Sequence, residues 1–275
     1  MRQVRVAVCQ MRSTDDVERN LDLAERLVIE AAEGGAELAT LPEYLDFMGP
    51  AGRRAEVASP IPGPVTDRLG AVARERSLWV LAGGVLEADG DGRVYDTSAL
   101  LDPHGEVVAT YRKIHLYDVE LPDQPPIRES DSIAPGDEIV TCRMDEVRLG
   151  LSICYDVRFP ELYRGLMTQG AQVLCVPAQF QHTTGRDHWH TLLRARAIEN
   201  QCFVVAPGQW GPFGDPAEGR RSYGHSLVLD PWGRVLIEAP EEGDGVWVAD
   251  LDVDAQRALR RSFPVLQHRR LGVTC

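Results

Sequence analysis

The sequence predicts a layered α/β fold. Short apolar segments typical of strands alternate with amphipathic segments typical of helices along all 275 residues. No internal repeat, low-complexity linker or change of composition divides the chain. The hydrophobic fraction of 44% is enough for a substantial core at this length. We therefore expect residues 1–275 to form one α/β domain.

The first half of the chain begins with a strand and a helix. Apolar alternation over 4–9 predicts the strand. Over 15–33 apolar residues recur at steps of four and three, which predicts a helix that Gly34-Gly35 ends. A second helix is predicted at 65–76. The other strands of this half are predicted at 36–41, 79–86, 94–101 and 107–112.

A long loop introduces the second half. Residues 117–137 are polar and proline-rich, and a loop of this length is uncommon unless it shapes a site. Beyond it, strands are predicted at 147–153, 173–176, 203–206, 226–230, 235–238 and 246–251. Helices are predicted at 160–169, 187–201 and 254–261.

Composition excludes several classes of protein. The net charge is -13 and no basic segment carries interleaved aromatic residues, so nucleic-acid binding is not expected. No run of 18 apolar residues predicts a membrane span, and the first residues lack the apolar middle of a signal peptide. The six cysteines are far apart, which argues against a disulfide framework, and we expect reduced thiols in the cytoplasm. They are Cys9, Cys142, Cys154, Cys175, Cys202 and Cys275.

Three ionisable residues each follow a predicted strand: Glu43, Lys113 and Cys154. In layered α/β folds ligands gather at the carboxyl ends of strands, so these side chains can converge on one pocket. A turn and a helix follow Cys154, and we expect the positive end of that helix to lower the pKa of the thiol. Taken singly, each residue is also compatible with an ordinary role: a small buried hydrophobe, a surface carboxylate or a solvated ammonium.

Together the three residue types suit acyl transfer. A thiolate at Cys154 attacks an acyl carbon. Glu43 takes the thiol proton, passes it to the leaving amine and later activates water. Lys113 and the backbone N–H of Tyr155 stabilise the developing oxyanion.

The surrounding segments resemble the nitrilase superfamily of carbon–nitrogen hydrolases. The motifs that carry the resemblance are Leu41-Pro42-Glu43, Tyr111-Arg112-Lys113-Ile114-His115-Leu116 and Cys154-Tyr155-Asp156-Val157-Arg158-Phe159-Pro160-Glu161-Leu162. The resemblance implies a four-layer α-β-β-α sandwich, a Glu-Lys-Cys triad and thioester chemistry with no metal and no cofactor. It also implies a homodimer or higher homo-oligomer that stacks through helices near the nucleophile.

The second half of the chain is similar to the branch that hydrolyses deaminated glutathione, with ω-amidases of 2-oxo acid amides close by. The segments that match are His188-Trp189, 192–202, 222–226, 230–233 and 264–270. Relatives commonly carry a glutamate where this chain has His190, which bears on substrate choice.

Family members often use a second glutamate in the loop after the lysine. Glu129 matches that place best, and Glu120 is the alternative. Both follow Lys113 within the long loop. A surface role for Glu129 is also open.

Other residues are predicted to bind the substrate. Arg158 lies four residues after the nucleophile, where it can hold a carboxylate in a bidentate way. The other predicted binding residues are Phe180, Thr184, His188 and Tyr44. The histidines His182, His188 and His190 lie close in sequence, but residues two apart on a helix do not share a face, so no metal site is expected.

The leading hypothesis is an amidase that acts on a linear, non-peptide amide of a small carboxylated metabolite. Alternatives with the same triad are an N-carbamoyl amidohydrolase, an aliphatic amidase or a nitrilase. A non-enzymatic alternative is a binding or scaffold protein with an inert site.

Overall fold

The computed structural model describes residues 2–120, 126–214 and 219–271. Cys275 and residues 121–125 of the predicted long loop lie outside this part. The described residues form two six-stranded sheets and two short two-stranded ones.

The first large sheet has the order β16-β1-β2-β3-β4-β5. Its strands are β1 (Gln3–Gln10), β2 (Leu38–Thr40), β3 (Trp79–Ala88), β4 (Val94–Leu101), β5 (Val107–Arg112) and β16 (Gly245–Asp252). Strands β1, β2 and β3 are parallel, and β3, β4 and β5 form an antiparallel meander. Consequently β2 and β5 run in the same direction and end at the same edge.

The second large sheet has the order β15-β14-β11-β10-β9-β8. Its strands are β8 (Thr141–Met144), β9 (Val147–Leu151), β10 (Val173–Cys175), β11 (Phe203–Ala206), β14 (Leu227–Leu229) and β15 (Val235–Glu238). Its three central strands, β9, β10 and β11, are parallel. The short sheets pair β6 (Asp118–Val119) with β7 (Ile127–Arg128), and β12 (Trp210–Pro212) with β13 (Arg221–Tyr223).

The described residues form six α-helices, of which four cover the outer faces of the two large sheets. The six are α1 (Val17–Glu33), α2 (Arg54–Val57), α3 (Pro64–Arg76), α4 (Pro160–Thr168), α5 (His182–Asn200) and α6 (Val253–Ser262). Helices α1 and α3 pack on the first sheet, α4 and α5 pack on the second, and β1 contacts β11 between the sheets. This is the α-β-β-α layering expected from the sequence, so the predicted fold class is confirmed.

Strand β1 shows how one alternating sequence serves two layers. Val4, Val6 and Val8 belong to the apolar core between the sheets. Ala7 and Cys9 belong to the core between the first sheet and its helices. Successive side chains of a strand point to opposite faces, so a strand buried on both faces must be apolar throughout.

Helix α5 differs from its prediction. It begins at His182, ahead of the predicted 187. Its first turn contains Gly185, where an added Cβ would lie 2.4 Å from Cγ of Tyr223. Glycine lowers helix propensity, so local sequence favours a loop, whereas the close packing against Tyr223 requires a residue without a side chain.

Helix α2 and strands β6, β7, β8, β12 and β13 are also absent from the sequence prediction. They are short, and their segments have no regular apolar pattern. In the described ranges, no helix combines the length and the apolar character needed to cross a membrane.

Candidate active site

The three candidate catalytic residues follow strands of different sheets. Glu43 follows β2 and Lys113 follows β5, at one edge of the first sheet. Cys154 follows β9 of the second sheet. The site therefore lies where the ends of the two sheets meet.

Lys113 is at the centre of the site. Its Nζ donates to Oε1 of Glu43 at 2.7 Å and to both carboxylate oxygens of Glu129, at 2.8 and 2.9 Å. Oδ2 of Asp96 lies 3.7 Å from the same nitrogen. All four side chains are buried, and we call Lys113, Glu43, Glu129 and Asp96 the buried cluster. Burial opposes the charge of Lys113, but Glu129 and Glu43 outweigh it and raise the pKa of the ammonium.

Glu129 is held by two donors besides the lysine. The hydroxyl of Tyr44 donates to its Oε1 at 2.6 Å, and the backbone N–H of Tyr117 donates to its Oε2 at 2.6 Å. Burial alone would raise the pKa of Glu129, but the charge of Lys113 and these bonds lower it. Glu129 therefore remains a carboxylate that anchors the lysine.

The alternative candidate, Glu120, lies elsewhere. Its side chain is 77% exposed and its nearest ion-pair partner is Arg128, at 3.9 Å. The structure therefore places Glu129, and not Glu120, beside Lys113.

Cys154 begins a 3-10 turn and has a φ of +46°, which is unusual for a residue with a side chain. Its N–H donates to the carbonyl of Pro177 at 2.8 Å, and its Sγ lies 3.6 Å from the carbonyl of Gln179. The N–H of Gln179 in turn donates to Oε2 of Glu43 at 2.5 Å. One residue thus connects the thiol and the carboxylate.

The expected lowering of the thiol pKa is wrong for this resting site. Burial and the charge of Glu43 raise the pKa of Cys154 well above its ordinary value, although Lys113 opposes them. The positive end of helix α4 is also farther along the chain than predicted, because a 3-10 turn separates Cys154 from the start of α4. The resting sulfur is therefore a thiol that needs a base before it can attack.

Asp156, which the sequence analysis did not select, holds the turn around the nucleophile. Its carboxylate accepts hydrogen bonds from the backbone of Ile153 at 2.8 Å and from the hydroxyl of Tyr111 at 2.6 Å. His115 lies against it, with Nδ1 2.7 Å from Oδ1. Asp156 lies within the Cys-Tyr-Asp motif, so its place beside the nucleophile was the available signal.

The predicted substrate-binding residues occupy two places. Nη1 of Arg158 lies 3.2 Å from Nδ1 of His188, and its guanidinium lies over the rings of Tyr155 and Phe180. Thr184 lies in the first turn of α5. Tyr44, by contrast, is buried against Glu129.

A cavity of about 1050 Å³ opens beside the cluster. Tyr44 and Gln179 form part of its wall, and both contact residues of the buried cluster. Four arginines also line it: Arg12, Arg54, Arg220 and Arg221. Sequence analysis did not find this basic lining, because its members come from loops, from α2 and from β13, which are far apart in the sequence.

The histidines considered as metal ligands do not converge. His182 pairs with Glu241 and His188 contacts Arg158. His190 and His225 both contact Oε1 of Glu238, at 2.9 and 2.8 Å. These three residues offer metal-ligand atoms within 4.8 Å of one another, but the hydrogen bonds already satisfy them.

His190, which the resemblance marked as a departure, contacts a carboxylate from β15, that of Glu238.

The fold and the site define a hydrolase of carbon–nitrogen bonds. The chain belongs to the carbon-nitrogen hydrolase family, whose model matches residues 5–261. It is thus an amide-hydrolysing enzyme of the nitrilase superfamily.

Particular relatives are more specific. The chain is 45% identical over 272 residues to the human deaminated glutathione amidase, covering 96% of this chain and 82% of that protein. It superposes on the C. elegans NitFhit protein with a TM-score of 0.90 at 38% identity, covering 98% of this chain and 66% of that longer one.

A third match is the amidase of Nesterenkonia sp. AN1, from the nitrilase superfamily. It has a TM-score of 0.78 at 29% identity and covers 96% of this chain and 99% of its own. In that structure acrylamide has added to the active-site cysteine.

Proposed function

We propose that this enzyme is a cysteine-dependent amidase that cleaves a linear, non-peptide amide of a small carboxylated metabolite through a thioester. Deaminated glutathione is the leading substrate, supported by the names of the relatives at 41–45% identity, and the ω-amides of 2-oxo acids are the second candidate. The observation that carries the proposal is the link through Gln179, which places the Glu43 carboxylate next to the Cys154 thiol.

In the first half of the reaction, Glu43 takes the thiol proton as Sγ of Cys154 bonds to the amide carbon. The resting thiol is protonated, so this transfer has to accompany the attack. The carbonyl oxygen becomes an oxyanion held by Lys113 and by the N–H of Tyr155, which lies in the first turn of the 3-10 segment, where N–H groups lack helical acceptors.

Glu43 then gives the proton to the amide nitrogen, the C–N bond breaks, and ammonia or an amine leaves. In the second half Glu43 removes a proton from water, which attacks the thioester carbon. The C–S bond breaks, the carboxylic acid product forms, and the thiol regains its proton. Glu129 keeps the ammonium of Lys113 in place throughout.

The arginines of the cavity support a carboxylated substrate. The whole chain has a net charge of -13, yet among the residues that the structure describes this cavity is lined by four arginines and one acidic residue, Asp15. Guanidinium groups bind carboxylates by paired hydrogen bonds. Arg54 is the nearest to the cluster, since its guanidinium lies over the ring of Tyr44 at 5.0 Å. Arg158 remains a second candidate for this role.

We further propose that residues 1–275 act as one domain and that the enzyme forms a homodimer without metal or cofactor. Ile198 on α5, Trp232 and Phe263 are each about half exposed, at 52%, 52% and 50%. Exposed large apolar groups that adjoin one another favour association. Sedimentation of the wild type and of an Ile198→Glu variant tests this, and a wild-type monomer at micromolar concentration would refute it. The cytoplasmic location stays a prediction.

The function is tested by Cys154→Ala, with Cys142→Ala as the matched control. We expect Cys154→Ala to abolish ammonia release from carboxylated amides and Cys142→Ala to retain it, with both variants folded by circular dichroism. Mass spectrometry of the wild type should detect a thioester. Turnover by Cys154→Ala at the wild-type rate would refute the mechanism.

The alternatives predict different products. Ammonia with carbon dioxide from N-carbamoyl compounds would favour a carbamoyl amidohydrolase, and turnover of nitriles a nitrilase. Equal rates for amides with and without a carboxylate would favour an aliphatic amidase. Iodoacetamide labelling of Cys154 no faster than that of Cys142 would favour an inert site.

A further inference from the structure

Asp96 is the carboxyl of the buried cluster that the mechanism above does not use. It lies on β4 with 0% of its surface exposed. Within the described residues, neither of its carboxyl oxygens has a hydrogen-bond donor. The carboxylate oxygens of Glu43 and Glu129 nevertheless lie within 4.8 Å of it.

The donors around the cluster are unequally shared. Glu129 accepts hydrogen bonds from Lys113, Tyr44 and Tyr117, and Glu43 accepts them from Lys113 and Gln179. Oδ2 of Asp96 lies 3.7 Å from Nζ of Lys113, which is beyond hydrogen-bond distance. A carboxylate at Asp96 would thus be buried without any donor.

The charge balance points the same way. Three carboxylates would face one ammonium, with the guanidinium of Arg54 as the next nearest cation. Burying an unpaired charge is costly, and neighbouring carboxylates relieve it by binding a proton. The proton belongs on the carboxyl with the fewest donors, which is Asp96. Burial and the charge of Glu43 raise the pKa of Asp96 well above its ordinary value.

We propose that Asp96 is a neutral carboxylic acid in the resting enzyme and donates its O–H to Glu43, so that it is a positioning residue for the general base. This inference rests on the proposed role of Glu43. A bond between two carboxyl groups requires one proton, and the proton supplies the donor that Asp96 otherwise lacks. The bond orients Glu43 toward the thiol of Cys154. Because Asp96 is neutral, Glu43 has no negative charge of Asp96 beside it.

Gly84 makes the approach possible. An added Cβ at this residue would lie 2.6 Å from Oδ1 of Asp96 and 3.0 Å from Cα of Glu43. The two acidic residues therefore meet over a position that has no side chain.

The test compares Asp96→Asn, Asp96→Ala and the surface control Asp91→Asn. An amide keeps a neutral N–H donor, whereas alanine removes it. We expect kcat for a carboxylated amide to fall about 10- to 100-fold in Asp96→Ala, with KM nearly constant, and only about threefold in Asp96→Asn. Asp91→Asn, in an exposed turn, should match the wild type.

The pH profile separates positioning from a merely structural role. Asp96 has several titratable or charged neighbours besides Glu43 and Glu129. They are Lys113, Tyr44 and Arg54, and Cys154 lies beside Glu43. The pKa values of Lys113, Tyr44 and Cys154 are raised as well as that of Asp96, so the Asp96→Asn variant is needed to assign the alkaline limb. The wild type should lose kcat as Asp96 ionises, and Asp96→Asn should lose this alkaline limb.

Infrared difference spectroscopy tests the proton independently of activity. Wild type minus Asp96→Asn should show the carbonyl band of a protonated carboxylic acid, shifted in heavy water. Spectra are taken over a pH series, and the band of Asp46, whose pKa burial raises to about 6, cancels because both proteins contain that residue.

A missing infrared band, or an Asp96→Asn profile that superposes on the wild type, would overturn the inference. If the wild type hydrolysed no amide, the proposed function would fail while the infrared band still decided the state of Asp96. If Asp96→Ala did not fold, the asparagine variant would carry the test.

Discussion

Two clusters in this enzyme share one composition, a single basic residue beside three acidic residues, in opposite surroundings. The buried cluster has Lys113 at its centre. On the surface, Arg68 of α3 meets Glu18, Asp22 and Glu25 of α1 at 2.8, 2.7 and 2.5 Å. The side chains of Glu18 and Asp22 are 82% and 70% exposed, so we call these four residues the surface cluster.

The difference between the clusters is what water does for the charges. At the surface cluster, water and salt solvate and screen the carboxylates, so each ion pair adds little to stability. The hydrogen bonds that Arg68 donates to Glu25 and Asp22 raise the pKa of Arg68, which is charged in any case. In the buried cluster, no water replaces a missing partner, so each charge depends on the others for its state and orientation.

Lys113→Ala should have the largest effect. It leaves Glu43 and Glu129 buried without their cation, so we expect a loss of about 3–5 kcal/mol in the free energy of unfolding. The oxyanion also loses a donor, which should lower kcat about 100- to 1000-fold or more. Urea denaturation and steady-state kinetics measure the two effects. An unfolding curve that matches the wild type would show that the buried cluster does not differ from the surface cluster.

Gly84→Ala should rank second. The new Cβ would force Asp96 and Glu43 apart, so we expect a loss of about 1–3 kcal/mol of stability and a fall in kcat. Gly52→Ala is the matched control, because no atom lies within 4 Å of its added Cβ. Equal unfolding midpoints for the two variants would contradict the tight packing described here.

Tyr44→Phe should act mainly on proton binding. Without this hydroxyl, the pKa of Glu129 rises from its lowered value, and the acid limb of kcat moves to higher pH. At a pH above the ordinary pKa of a glutamate, the ionised Glu129 contributes fully to the stability of the fold. This contribution is lost as the pH falls through the lowered pKa that Glu129 has in the folded protein. The loss should therefore begin at higher pH in the variant, with kcat about 10-fold lower at neutral pH.

Kinetics and urea unfolding across acid pH measure these changes. Tyr95→Phe is the control, since the Tyr95 ring lies under Arg112 and away from Glu129. An unmoved acid limb in Tyr44→Phe would argue against the bond to Glu129.

Arg68→Ala should have the smallest effect. We expect at most about 1 kcal/mol of lost stability, shrinking as salt is added, and no change in kcat. Thermal unfolding at low and high salt measures it. A loss as large as that of Lys113→Ala would remove the contrast between the clusters.

Sequence patterns predicted the fold because both large sheets are built from apolar strands with ordinary turns. Glu43, Lys113 and Cys154 could be selected because each follows a predicted strand and lies in a motif that resembles the nitrilase superfamily. Asp96 was missed because it lies inside a strand, where an alternating pattern expects polar residues on one face. Only the packing of the second layer makes both faces of β4 buried.

The thiol shows a different limit. The position of Cys154 after a strand was visible in the sequence, but the direction of its pKa depends on burial and on Glu43, which only the folded site fixes. The arginines of the cavity likewise become neighbours only through the tertiary structure.

The nucleophile belongs to one sheet, and its base and its cation belong to the other. Hydrolysis can therefore proceed only while the two halves of the sandwich stay docked in register. A small displacement of one sheet relative to the other would separate the sulfur of Cys154 from the carboxylate of Glu43 while every strand stayed intact. Loss of turnover would therefore report a change in sheet packing before any unfolding.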